Sequence, residues 1–91
     1  MSNKKIGADK DLVKLRAKID GIDARIFKLL EERFAVVEKV GKYKTRNNLP
    51  VRNAGREKEI IAEKMKNSGL DGKFIRSFYK IIFNQSYKIE K

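Results

Sequence analysis

Between about Lys10 and Thr45, apolar residues recur at steps of three and four: Leu12, Leu15, Ile19, Ile22, Ile26 and Leu29. That spacing is the seam of a helix packed lengthwise along another helix. The stripe continues through Val36, Val37 and Val40, and no proline interrupts it. Gly21 and Gly41 fall inside it, each weakening the helix by ~1 kcal/mol; close packing and a tolerated cost account for them equally well. Residues 46–52, Arg-Asn-Asn-Leu-Pro-Val-Arg, break the pattern. Asn47 and Asn48 suit a turn, and Pro50 pushes Leu49 away from helical angles. A second helix is predicted from Asn53, a good N-cap residue, through Ile60, Ile61 and Met65 to a stop at Asn67-Ser68-Gly69. Asp71 then caps a third, along which Phe74, Phe78, Ile81, Ile82, Gln85 and Ile89 run at helical spacing. No stretch alternates like a strand. The pattern predicts an all-α chain with helices at 10–45, 53–67 and 71–90, forming one domain over 10–91 behind a frayed terminus at 1–9.

The predicted lengths constrain the assembly. A first helix of about 36 residues is about 54 Å long, whereas a compact globule of so short a chain is only about 30 Å across. Two shorter helices cannot cover the whole stripe. A second copy, packed antiparallel and intertwined, is the simplest cover; a long bundle with a foreign partner stays open.

Composition narrows the chemistry. The 91 residues include no cysteine and no histidine. Disulfides and thiolate metal sites are excluded, and the commonest general base and metal ligand are absent. Catalysis would have to use Arg, Lys, Asp, Glu, Ser, Tyr or the backbone, with no metal and no cofactor called for. Lys and Arg number 23 against 12 Asp and Glu, a formal charge of +11, which favours anionic partners. A solvated lysine-rich surface, nucleic-acid binding and a pocket for a small polyanion all fit that balance. Nothing reads as a signal peptide or a membrane span, so a soluble, cytoplasmic protein is the default expectation.

The spacing of the charges says more. Extending the seam from Leu29 puts Arg33 at a packing position. A guanidinium there is costly unless an anion meets it; an internal partner such as Glu57, an outward-reaching side chain or a buried anion site would each serve. Lys44 follows 11 residues later, close to three turns, so it shares that face about 16 Å away. Taken alone, Lys44 reads as a solvated lysine. Arg56 and Glu57 fall in the first turn of the second helix. The helix dipole favours the glutamate there and not the arginine, so Arg56 suggests an anion that the helix start also attracts. Ser86 and Glu90 lie four apart and share a face.

Taken in order, these residues resemble a known family. Leu15-Arg16-x-x-Ile19-Asp20-x-Ile22-Asp23 followed by Leu29-Leu30-x-x-Arg33 is similar to the first helix of the all-helical (type II) chorismate mutases. Val40-Gly41-x-x-Lys44, Pro50-Val51-x-x-x-x-Arg56-Glu57, Leu70-Asp71-x-x-Phe74-Ile75, Ile81-Ile82 and Ser86 continue the likeness, which covers roughly residues 10 to 91. Each piece is common, and the ordered set is specific. The resemblance implies a monofunctional isomerase of aromatic amino-acid biosynthesis. It further implies an intertwined homodimer of three-helix chains with two shared active sites, a small dicarboxylate substrate, and neither nucleic acid nor membrane as partner. It assigns Arg16 of the partner and Arg33 to the two carboxylates, Lys44 to the ether oxygen of the breaking bond, Arg56 and Ser86 to the rest of the anion site, and Glu57 to the substrate hydroxyl. Helix geometry agrees with sharing: Arg16 and Lys44 stand about 42 Å apart along one helix, too far to meet one small ligand within a chain.

Two positions depart from the family pattern. Asn53 stands where many relatives have aspartate; it still caps a helix, with an altered contact to the substrate hydroxyl. Glu90 stands where relatives commonly have glutamine, the second donor to the ether oxygen, and an ionised carboxylate has no proton to donate. Glu90 is also second from the end, where fraying could displace it. An isochorismate pyruvate lyase on the same fold is a close rival, although Pro50-Val51-x5-Glu57 looks more like the mutases. A basic helical nucleic-acid-binding protein is a rival of another class, marked by steep salt dependence.

Overall fold

The computed structural model describes the backbone from Asn3 onward and the side chains from Asp9 onward. Of the stretch expected to fray, 1–9, only Met1 and Ser2 lie outside the described residues, and the backbone from Asn3 onward is helical. Three helices follow in order: α1 (Asn3–Arg46), α2 (Ala54–Asn67) and α3 (Gly72–Glu90). No described residue is in a strand, so the chain is all-α. No described helix is long and apolar enough to cross a membrane. The chain divides into two compact units, Met1–Arg33 and Phe34–Lys91.

The first unit consists of α1 up to Arg33. Its apolar stripe is uncovered: Leu12, Leu15, Ile19, Ile22, Ile26 and Leu29 are between 41% and 63% exposed. Six aligned aliphatic side chains on an open face are unusual for a chain that works alone.

The second unit holds the end of α1 together with α2 and α3. α1 stops in a Schellman arrangement, in which Leu49 N–H donates to Lys44 O at 2.9 Å and Asn48 N–H to Thr45 O at 3.4 Å. Asn48 takes φ 54°, the left-handed region that asparagine tolerates better than most residues. This turn sends Leu49-Pro50-Val51 back beside the last turn of α1. Asn53 caps α2 by accepting from Arg56 N at 3.0 Å, and Asp71 caps α3 by accepting from Phe74 N at 3.0 Å.

α2 packs on α3. Close approach near the turn between them is eased by Gly72, where a Cβ would sit 3.0 Å from Met65 Cε. Among the described residues the buried apolar side chains are Ile75, Ile82 and Phe83, and rings continue the layer from Phe74 through Phe78 and Tyr79 to Phe83. Of the stripe read in the sequence, Ile82 is buried whereas Phe74 and Ile81 are 53% and 69% exposed, and Ile75 and Phe83 join the buried face. The same buried face carries two polar residues, Ser86 and Glu90.

Candidate active site

The second unit brings the C-terminal turns of α1 and α3 together, and Gly41 makes this possible. A Cβ at Gly41 would lie 2.7 Å from Glu90 Cα and 2.9 Å from Glu90 O. Of the two readings open for this glycine, close packing is the one that holds. One turn beyond it, Lys44 Nζ donates to Glu90 Oε1 at 2.6 Å and to Val51 O at 2.5 Å. The Glu90 side chain is 6% exposed and that of Lys44 18%. Glu90 is thus the last helical residue of α3, buried and bridged. Removing either partner of such a desolvated pair leaves an uncompensated buried charge.

A second cluster forms where α3 meets the start of α2. The Tyr87 hydroxyl donates to Glu57 Oε2. Arg52 Nε donates to the same oxygen at 3.2 Å. Burial, then the Glu57 hydrogen bond and charge, push the Tyr87 phenol up to about 12, against a backbone hydrogen bond with Asn53 and the Arg52 charge. Beside this cluster lies a groove of about 380 Å³, lined in part by Arg52, Glu57, Arg76, Lys80 and Tyr87. A groove lined by three cations, Arg52, Arg76 and Lys80, and one carboxylate suits an anionic ligand with a hydroxyl.

The other predicted residues fall as follows. Arg56 is exposed on the first turn of α2, beside Glu57. The Asn53 side chain is occupied by the cap. Ser86 is buried, and its hydroxyl donates to Ile82 O at 2.8 Å. Arg16 is exposed on the first unit, and Arg33, half-buried and engaged by a neighbour, closes that unit. The second unit therefore joins Lys44 with Glu90, and Asn53, Arg56 and Glu57 share the first turn of α2.

The sequence description of the chorismate mutase type II family matches residues 15–91. The chain belongs to that family. Its curated relatives include the bifunctional chorismate mutase/prephenate dehydratase of Buchnera aphidicola subsp. Schizaphis graminum, 34% identical over 89% of this chain and 22% of its own length. The enzyme of the same name from Escherichia coli is 30% identical over 87% of this chain and 21% of its own. The T-protein of Enterobacter agglomerans is 30% identical over 88% and 22%. The chain spans about a fifth of the length of these relatives. Chorismate mutases are isomerases, and a site of fixed cations and hydrogen-bonding groups suits a family whose reaction needs no nucleophile or redox group.

Three contacts in these clusters escaped the sequence reading. Val51 contributes through its carbonyl, which no side-chain pattern reveals. Arg52 and Tyr87 converge on Glu57 from sequence distances of 5 and 30 residues, and only the packing of α3 on α2 relates them. Their one sequence signal is that Tyr87 directly follows Ser86.

Proposed function

We propose that this chain rearranges chorismate to prephenate in aromatic amino-acid biosynthesis. It does so in the cytoplasm, as an intertwined antiparallel homodimer whose two sites are shared between chains. The observation that carries this reading is the Lys44 ammonium, held by Val51 O and Glu90 Oε1 at the end of α1 in a chain of the type II family. An ammonium has three N–H donors. Two are used here, and the third is left for the ether oxygen, where negative charge grows as the C–O bond breaks. In this proposal Arg33 and the partner's Arg16 take the two carboxylates, Arg56 and Ser86 complete the anion site, and Glu57 accepts from the ring hydroxyl. Folding the enolpyruvyl arm over the ring is then an entropic task for these clamps. The uncovered stripe of the first unit supports the dimer, because a second copy offers a matching stripe.

Glu90 bears on the second donor. Bridged to Lys44, it acts as an acceptor; protonated, it donates to the ether oxygen. The test of the overall reading is to incubate the purified chain with chorismate and, separately, with isochorismate. Loss of chorismate absorbance with prephenate as product is expected. Pyruvate from isochorismate, with no prephenate from chorismate, would assign the chain to lyase chemistry instead.

A further inference from the structure

Tyr87 ties α3 to the first turn of α2. Its hydroxyl donates to Glu57 Oε2, and the Asn53 backbone acts to lower the pKa of the phenol. Arg52 reaches the same carboxylate oxygen at 3.2 Å, but its side chain is 71% exposed, and solvated ion pairs hold geometry weakly. The Tyr87 ring is half-buried and the Glu57 side chain is 17% exposed. The buried bond therefore fixes the carboxylate more firmly than the solvated one. Both donors fall on Oε2, so neither occupies Oε1. A carboxylate has about four lone-pair sites, so Oε1 retains the capacity to accept from a ligand hydroxyl. With its pKa pushed up to about 12, the phenol stays protonated at assay pH and serves as a donor, not as a base.

We propose that Tyr87 is a positioning residue: it holds Glu57 by Oε2 so that Oε1 is presented to the hydroxyl of the substrate ring. This rests on the reading that Glu57 accepts from that hydroxyl. The hydroxyl lies away from the breaking bond, so its contact is made about equally in ground and transition states. Loss of such a contact raises KM more than it lowers kcat.

The test is a double-mutant cycle on chorismate turnover. Tyr87→Phe removes one oxygen and keeps the ring. In the wild-type background it is expected to lower kcat/KM about tenfold, mainly through KM, the worth of one charge-assisted hydrogen bond. In a Glu57→Ala background the same change is expected to cost less than about twofold, because nothing remains to be positioned. A purely structural role would instead lower kcat through lost folded enzyme and would cost the same in both backgrounds; either result overturns the proposal. A second arm is independent of turnover. With 3-fluorotyrosine incorporated, the position-87 fluorine resonance is identified by its absence in Tyr87→Phe. It is expected to titrate at higher pH than free 3-fluorotyrosine and to move to lower pH in Glu57→Gln. An unmoved titration refutes the Tyr87–Glu57 contact itself. A moved titration in a chain that does not convert chorismate leaves the contact standing and refutes the assigned substrate.

Discussion

Gly41→Ala separates stability from activity. Glycine weakens a helix interior by ~1 kcal/mol relative to alanine, so on α1 alone the substitution stabilises. Against that, the new Cβ meets backbone atoms of Glu90 at 2.7, 2.9 and 3.2 Å. Backbone has no rotamer with which to step aside, and the 2.7 Å approach must open to at least the 3.4 Å of ordinary contact. Overpacking of this kind costs ~1–3 kcal/mol. The two terms nearly offset, leaving a net destabilisation of at most ~2 kcal/mol. The activity has no such offset. The retreating turn carries Glu90 away from Lys44, whose Nζ it now meets at 2.6 Å. A displacement approaching an ångström in catalytic geometry can cost up to 10²-fold, so a drop in kcat/KM on the order of 10- to 100-fold is expected. Chorismate consumption gives the rate, and thermal denaturation followed by circular dichroism gives the stability. Wild-type activity in a folded Gly41→Ala protein would refute the reasoning, as would an activity loss that merely tracks the unfolded fraction.

The protein is expected to sediment as a dimer that dissociates only with loss of helix, because its stripe at Leu12 through Leu29 is 41–63% exposed in the single chain; a folded, helical 10.6 kDa species would contradict this. Glu90→Gln keeps an acceptor for Lys44, whose Nζ now meets Glu90 Oε1 at 2.6 Å, and adds an amide donor for the ether oxygen; kcat/KM for chorismate at neutral pH is expected to be kept or raised, and a folded Glu90→Gln protein without activity would remove the second-donor role from this position. The Tyr87 phenol, raised from 10.0 to about 12 in the fold, favours the folded state fully below pH 10 and loses that contribution as pH climbs to about 12. Denaturant unfolding at rising alkaline pH is therefore expected to show a steeper loss for the wild type than for Tyr87→Phe, and parallel curves would count against it.

Much of the fold was legible because its signals are local. Asn53 and Asp71 cap the helices that follow them, and Asn48 adopts the left-handed turn that its side chain permits. The stripe on α1 announced a face that the single chain leaves uncovered. What sequence could not settle depended on which turns meet. The Gly41 side chain is merely absent until Glu90 is seen against it. Glu90 could read as a frayed terminal acid until its bridge to Lys44 is known. The buried face of α3 was legible only in part: Ile82 was read on the stripe, but Phe74 and Ile81 are as apolar as Ile75 and Phe83, and only packing selects the second pair. Tyr87 went unnoticed because a tyrosine beside a serine on a helix carries no spacing signal, while its partner lies 30 residues away.

The claim of shared catalysis is tested most directly by mixing two inactive proteins. Arg16→Ala and Arg33→Ala are each expected to remain helical while losing at least ~2–3 kcal/mol of transition-state stabilisation, because each deletion removes a charge-assisted contact. After subunit exchange, a mixed dimer has one site that carries both arginines and one that carries neither. Chorismate conversion to prephenate is expected to reappear on mixing, at a level set by one intact site per mixed dimer. If exchange is demonstrated and no activity returns, or if either parent alone converts chorismate at the wild-type rate, the shared arginine site is wrong.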